Sequence, residues 1–303
     1  MVPNLLVLGG TTEASALAQA VAEHLQIPLH SVNFASEYWE RVFDHFLQEY
    51  AAGRTPNPDV LCNREIKFSA FLDHALELGA DYIATGHYAR LQHESGQTRL
   101  MRAADEAKDQ TYFLQAVPAA QLNNVLFPLG DLTKPEVREL AARNGLANHA
   151  KKDSTGICFI GERRFADFLQ RYLPGREGPI VDTEGRTIGS HHGAHTFTVG
   201  QRQGLRLGGL AGRSEAAWYV LAKDLANNRV IATQDESSLA GQWLAAGPVN
   251  WLTPKAPQLP LRCAARIRHR QPLQTCTLRP RADGAVVAVF DQPQRAISPG
   301  QYM

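Results

Sequence analysis

The chain has 303 residues, 44% of them hydrophobic, with 31 Lys and Arg against 30 Asp and Glu. That length predicts two or three units, and the net charge of +1 excludes a global basic field, so any nucleic-acid contact has to come from local arginines and lysines. The opening Met1-Val2-Pro3-Asn4-Leu5-Leu6-Val7-Leu8 lacks the basic lead and long apolar core of a secretion signal, and no run reaches membrane-spanning length. The reading is a cytoplasmic chain with no membrane partner.

In chain order, Leu5 to Leu8 reads as a strand, Gly9-Gly10-Thr11-Thr12 as a turn, and Ala14, Leu17, Ala18, Val21, Ala22 and Leu25 as the apolar face of a helix. A strand from Leu29 to Phe34 follows. Ser36 is placed to cap a helix whose stripe is Trp39, Val42, Phe43, Phe46, Leu47 and Tyr50. Pro56 and Pro58 then force extended backbone, and Cys62 falls just past this rigid turn at the opening of a helix through Ile66, Phe71, Leu72 and Leu76. Tyr82 to Thr85 reads as a buried strand. Strands alternating with helices imply a parallel sheet, whose ligands sit beyond the carboxyl ends of its strands. Thr133-Lys134-Pro135-Glu136 is a capping box. A short helix from Phe165 ends at Pro174-Gly175, and the pattern then turns to β, with strands at Pro179 to Val181, Trp218 to Leu221, Arg229 to Ile231, Leu261 to Arg270, Thr275 to Leu278 and Ala285 to Phe290. The expected organisation is a catalytic domain over 1–164, a middle domain over 165–222 and a barrel-like domain over 223–303.

The four cysteines, Cys62, Cys158, Cys263 and Cys276, have neither C-x-x-C nor zinc-type spacing. Cys263 and Cys276 fall on strand-like runs and read as buried, inert thiols. Cys62 and Cys158 lie in short polar loops instead: either incidental thiols or reactive ones, since a thiol at a helix N-terminus gains nucleophilicity. Asp59 is either a helix N-cap or a general acid/base. Arg266-Ile267-Arg268-His269-Arg270 is either a solvated basic strand or an RNA contact. His191-His192-x-x-His195, lacking acidic partners, reads as an exposed loop, and no metal site is assigned.

Five ordered motifs carry a resemblance: Arg54-Thr55-Pro56-Asn57-Pro58-Asp59-x-x-Cys62-Asn63, Ala84-Thr85-Gly86-His87-Tyr88, Lys108-Asp109-Gln110-x-Tyr112-Phe113-Leu114, Asp153-Ser154-Thr155-Gly156-Ile157-Cys158-Phe159-Ile160-Gly161-Glu162-Arg163 and Gly200-Gln201-Arg202-x-Gly204-Leu205. From about Leu29 to Gln301 the chain resembles the bacterial tRNA-specific 2-thiouridylases. The resemblance implies a nucleotide α-hydrolase-like parallel-sheet domain of the PP-loop ATP pyrophosphatase kind, then a small middle domain and an antiparallel β-barrel-like domain. It implies ATP-dependent 2-thiolation of the tRNA wobble uridine: ATP, with magnesium, adenylates the C2 oxygen, and a persulfide on Cys158 delivers sulfur. Cys62 then attacks that linkage and Asp59 moves protons. By the same resemblance Asn57, Pro58 and Asp59 line the target base and Gly86 contacts ATP. His87, Lys108, Asp109, Gln110, Arg268, His269 and Gln301 contact tRNA. The implied partners are tRNAs for glutamate, glutamine and lysine and a protein that donates persulfide sulfur.

Where the family has Ser-Gly-Gly-x-Asp-Ser, this chain reads Leu8-Gly9-Gly10-Thr11-Thr12-Glu13-Ala14-Ser15, and roughly one βα unit of the family pattern is missing before Phe34. A second reading is therefore a tRNA-binding homologue without ATP binding or thiolation, and a third, resting only on Gly9 to Ala14, a nicotinamide-dependent reductase. At the other end, the family's closing hairpin is missing after Met303, which predicts an unpaired strand edge near Ala285 to Phe290.

Overall fold

The computed structural model describes residues 5–8, 12–94, 96–151, 165–208 and 214–303. Strand β1 (Leu5–Leu8), helix α1 (Thr12–Leu25) and strand β2 (Leu29–Val32) form a βαβ unit, with β1 and β2 parallel in the register Leu5 to Leu29 through Leu8 to Val32. Next, α2 (Ala35–Tyr38), a π-helical stretch (Trp39–Phe43) and α3 (Asp44–Ala51) run on without interruption. A second composite helix consists of α4 (Pro58–Leu61), a π-helical stretch (Cys62–Ala70) and α5 (Phe71–Glu77). Then come β3 (Ile83–Ala84), the antiparallel pair β4 (Ala89–Glu94) and β5 (Gln97–Arg102), α6 (Thr111–Leu114), α7 (Ala119–Leu122), β6 (Val125–Leu126), parallel to β3, and α8 (Lys134–Arg143).

The chain divides into two compact units, neither of them contiguous. The first takes Met1–Asp44, Pro58–Arg163 and Asn250–Ala256; the second takes His45–Asn57, Arg164–Val249 and Pro257–Met303.

In the first unit the composite helix from Pro58 is the central support, packing on α2, α6 and α7. Its Val60, Ile66 and Phe68 are fully buried, as are Val42, Leu114, Leu122 and Val125 around it. The capping box forms as expected: Glu136 accepts from the Thr133 N–H at 2.6 Å. Three local expectations change. The N-cap of α2 is Phe34 rather than Ser36, because the helix starts one residue before Ser36, and the first helical N–H, that of Ala35, donates to the Asn33 side-chain oxygen at 3.0 Å. Trp39 is 50% exposed, since the switch to π geometry alters which positions share the stripe. The strand at Tyr82 to Thr85 shortens to Ile83–Ala84, with Tyr82 exposed.

The second unit adds α9 (Phe165–Gln170) and two four-stranded sheets. Strands β7 (Gly178–Val181), β8 (Thr187–His191), β9 (Tyr219–Asp224) and β10 (Arg229–Thr233) hydrogen-bond in the order β8-β7-β10-β9. Their core is Ile180, Phe197, Leu205, Trp218, Val220 and Val230. Strands β11 (Ala240–Pro248), β12 (Leu261–Ala265), β13 (Gln274–Pro280) and β14 (Ala285–Arg295) form an antiparallel sheet in the order β11-β14-β13-β12. Strand β14 therefore pairs on both sides, correcting the expectation of an open edge at Ala285 to Phe290. The partner that closes it, β11, reads Ala-Gly-Gln-Trp-Leu-Ala-Ala-Gly-Pro, which gives no strand alternation to the eye. Arg266 to Arg270 is a turn rather than the end of a strand, with Arg270 at a φ of +67°. Among the described residues, no helix is long and apolar enough to cross a membrane.

Candidate functional site

Pro58 opens its helix because a missing N–H costs nothing in the first turn and the ring presets φ. Asp59 is consequently already inside the first turn rather than at the cap, with its carboxylate near the positive end of the helix dipole. Cys62 follows three residues later, on the same helical face. It starts the π-helical stretch, which closes with the Phe71 N–H on the Ile66 carbonyl, an i to i−5 bond. Cys62 has 0% exposure, contrary to the expectation that it lies outside the core. Pro58 is buried, and Asn57 and Asp59 are half-buried.

The stretches of three motifs that lie in the described part of the first unit, Pro58 to Asn63, Ala84 to Tyr88 and Lys108 to Leu114, are tied to one another. Asn63, 2% exposed, donates through Nδ2 to the Phe113 carbonyl at 2.9 Å, joining the Cys62 helix to α6. Gln110 and Tyr88 exchange two bonds: the Tyr88 N–H donates to Gln110 Oε1 at 2.9 Å and the Gln110 N–H to the Tyr88 carbonyl at 2.9 Å. Asp109, also 2% exposed, accepts from the Ala103 N–H at 3.2 Å and from the Thr111 hydroxyl at 2.8 Å. Its carboxylate is thus taken up inside the unit and orders the loop on which half-buried Lys108 sits.

A cavity of about 330 Å³ opens where β3 ends, lined by Lys67, Phe71, Ala84, Thr85, Gly86, His87 and Gln110. This is the carboxyl end of a parallel strand, where α/β sheets hold ligands. Lys67 and Phe71 belong to the helix that carries Asp59 and Cys62, so one element supplies both the thiol and a cavity wall. A Cβ at Gly86 would meet Leu129 at an ordinary 3.8 Å, so packing within the chain does not demand glycine there; an unhindered backbone facing the cavity is what glycine adds. His87 sits against Phe68 and Phe127, with ring centroids 5.6 and 5.9 Å away, and its Nδ1 lies 2.8 Å from the Thr85 hydroxyl. Burial, helped by the Lys67 charge, pushes the imidazole down to about 3, so at neutral pH it is an uncharged hydrogen-bonding group. Lys67 escaped the sequence reading. Its signal was its place on the Cys62 helix, five residues past the thiol.

The remaining candidates lie in the second unit. Arg268 donates through Nη2 to the carbonyls of Val199 at 3.2 Å and Ala296 at 2.7 Å and to the Ser298 hydroxyl at 2.9 Å. Gln301 donates through Nε2 to the Thr55 carbonyl at 2.6 Å, and the Thr55 N–H donates to the Pro299 carbonyl at 2.8 Å. The segment leading into Asn57-Pro58-Asp59 is thereby held by residues almost 250 positions later. Gly300 has a φ of +90°, and a Cβ there would lie 2.8 Å from the Thr55 nitrogen, so this approach requires glycine. His269 is half-buried beside Arg268 in the turn. His191, expected in an exposed loop, is 3% exposed: its Nδ1 accepts from the Gly193 N–H at 3.0 Å and its Nε2 lies 3.2 Å from the Asn228 carbonyl. Cys158 and Gly9 to Thr11 lie outside the described residues. Among the described residues, no group of three or more His, Cys, Asp or Glu is placed to hold a metal ion.

Three family models follow one another along the chain: a tRNA methyl transferase HUP domain over 9–162, a tRNA methyl transferase PRC-barrel domain over 166–234 and an aminomethyltransferase beta-barrel domain over 242–303. The fold class expected from the motifs agrees with this succession. The tRNA-specific 2-thiouridylase MnmA of Alcanivorax borkumensis is 58% identical over 286 residues, 94% of this chain and 78% of that protein. Its namesake in Pseudomonas syringae is 56% identical over 291 residues, 95% of this chain and 77% of that protein. The one in Legionella pneumophila is 53% identical over 288 residues, 94% and 80% of the two chains. With relatives this similar along most of its length, the chain belongs to the tRNA-specific 2-thiouridylase family.

Proposed function

We propose that this protein performs ATP-dependent 2-thiolation of the wobble uridine of tRNA. The observation that carries the reading is a single helix that places Asp59 and Cys62 one turn apart and, further along, Lys67 and Phe71 on the wall of the Gly86–His87 cavity. The cavity lies within the size range of small-ligand sites. Its open Gly86 backbone, its lysine and its neutral imidazole suit an adenine nucleotide, with Lys67 toward phosphate. Among the described residues the lining offers no carboxylate, so magnesium would arrive on the phosphates of ATP.

A uracil C2 oxygen is a poor leaving group, and its adenylation by ATP converts it into a good one. In this reading the persulfide on Cys158 attacks C2, the bond from C2 to the activated oxygen breaks and AMP leaves. Cys62 then attacks the Cys158 sulfur, releasing the second sulfur on the base and leaving a Cys62–Cys158 disulfide. Asp59 takes and returns the protons. Asn57, Pro58 and Asp59 hold the base, which has to leave the anticodon stack to reach a thiol as buried as Cys62. His87 enters as a hydrogen-bonding group. Lys108, Gln110, Arg268, His269 and Gln301 serve tRNA contact directly or by ordering the segments that make it, and Asp109 serves by ordering its loop.

The division into domains over 1–164, 165–222 and 223–303, a cytoplasmic setting, acceptor tRNAs for glutamate, glutamine and lysine, and a protein donor of persulfide sulfur belong to the same proposal. The test supplies ATP, a persulfide donor and such a tRNA to the wild type and to Cys158→Ser, with 2-thiouridine measured in nucleoside digests. The wild type is expected to form it and the variant to form none. Undiminished product from the variant would remove the mechanism, while tRNA binding without ATP binding in the wild type would favour a homologue that only binds RNA.

A further inference from the structure

Cys263 and Cys276 lie outside the proposed sulfur relay, and their sequence context reads as inert. The register says otherwise. The two residues face each other directly across the β12–β13 ladder, and their Sγ atoms are 3.6 Å apart. Both are free thiols. Directly opposed residues of an antiparallel pair have Cα atoms about 4.5–5.5 Å apart, inside the range of about 4.4–6.8 Å that a disulfide spans, so bond formation calls for movement of the sulfurs without displacement of the strands. Access is unequal. Cys263 sits on β12, the edge strand of its sheet, and is half-buried, whereas Cys276 on the inner strand has 0% exposure. Burial, reinforced by the hydrogen bond with Cys263, pushes the Cys276 thiol up to about 12.

We propose that Cys263 and Cys276 form an oxidisable dithiol, a modification site that closes to a cross-strand disulfide under two-electron oxidants of the peroxide class. Cys263, the accessible partner, reacts first: its thiol gives up its proton, the sulfur forms a bond to one peroxide oxygen, the O–O bond breaks and the departing hydroxide takes that proton and leaves as water, giving a sulfenic acid. Cys276 then attacks the Cys263 sulfur; the S–S bond forms, the S–O bond breaks and a second water carries away the oxygen and the Cys276 proton. Two thiols and one peroxide become one disulfide and two waters. Two further register pairs, Ala264 with Thr275 and Ala265 with Gln274, separate this bond from the turn bearing Arg268 and His269. The disulfide therefore staples the middle of the ladder whose turn presents them.

The test uses the full-length wild type, reduced and freed of reductant. It is exposed to hydrogen peroxide or to diamide, which accepts the two hydrogens of a dithiol. Remaining thiols are then capped with N-ethylmaleimide in denaturant and the peptides are mapped without reduction. The expected product is a cross-linked peptide containing Cys263 and Cys276, lighter than its separate parts by two hydrogens and lost on treatment with dithiothreitol. It is expected unchanged in a Cys62→Ser, Cys158→Ser background, which separates it from the relay. Recovery of both residues as capped thiols with either oxidant, or of Cys263 joined to another cysteine, would overturn the proposal.

Discussion

The helix that begins at Pro58 and the turn around Arg268 both carry residues that the motifs mark, yet they hold them differently. On the helix, Asp59 is half-buried near a positive helix end, Cys62 is enclosed, and a cavity opens beside Lys67 on the same element. Around the turn, the guanidinium of Arg268 and the amide of Gln301 already donate to acceptors within their own unit. The difference teaches that a marked position can act on the substrate or can hold in place the backbone that does. Asp109, marked as an RNA contact but buried with internal donors, shows the second use inside the first unit as well.

Substitutions can break or sharpen this contrast, because a residue acting on substrate changes rate and a tie changes stability. Asp59→Asn is expected to lower the thiolation rate by about 10²–10⁴-fold, while costing less than about 1 kcal/mol of stability from the lost helix-end interaction. A rate within about twofold of wild type would reassign Asp59 to a purely structural role. Arg268→Met is expected to cost about 2–3 kcal/mol, because a charged donor is lost and the carbonyls of Val199 and Ala296 lose a partner. Denaturant unfolding measures it, and an unchanged midpoint alongside weakened tRNA binding would make Arg268 a contact instead.

His87 yields a prediction in pH. Its folded-state imidazole stays neutral down to about 3, whereas in the unfolded chain it protonates near 6.5. The unfolded state therefore binds more protons between those values, and stability falls as pH drops from 6.5 toward 3, by at most about 1.4 kcal/mol per pH unit. His87→Asn is expected to flatten that decline relative to wild type in urea midpoints taken across the window. Parallel profiles would mean that the ring is not enclosed as described. The smallest effect is expected from Gln301→Ala, about 1 kcal/mol or less for one neutral hydrogen bond to Thr55. A larger loss of tRNA affinity than of stability would move Gln301 to the contact side.

Much of this was legible from the residues. The proline turn announced a helix opening near Cys62, although that helix already starts at Pro58 and takes Asp59 into its first turn, Thr133 and Glu136 announced another, and the five motifs announced the family. Local chemistry does that well, because caps and proline turns are decided within four residues. What was illegible depends on distance or on register. Nothing near Trp39 signals a change to π geometry, and nothing in the Gly- and Ala-rich β11 signals that it will close the edge of β14. The opposition of Cys263 and Cys276 depends on the register of two strands, so alternation alone made each look solitary. The ties from Arg268 to Val199 and from Gln301 to Thr55 join residues 69 and 246 positions apart, which single-chain patterns do not encode.

The central claim, that Cys62 resolves a sulfur intermediate on Cys158, is tested most directly by a single-turnover reaction with persulfide-loaded enzyme, ATP and tRNA. The reaction is quenched in acid, thiols are capped and peptides are mapped without reduction. A Cys62–Cys158 disulfide is predicted to appear at the same rate as 2-thiouridine and in equal amount. Accumulation of 2-thiouridine with Cys62 recovered as a capped thiol would contradict the account.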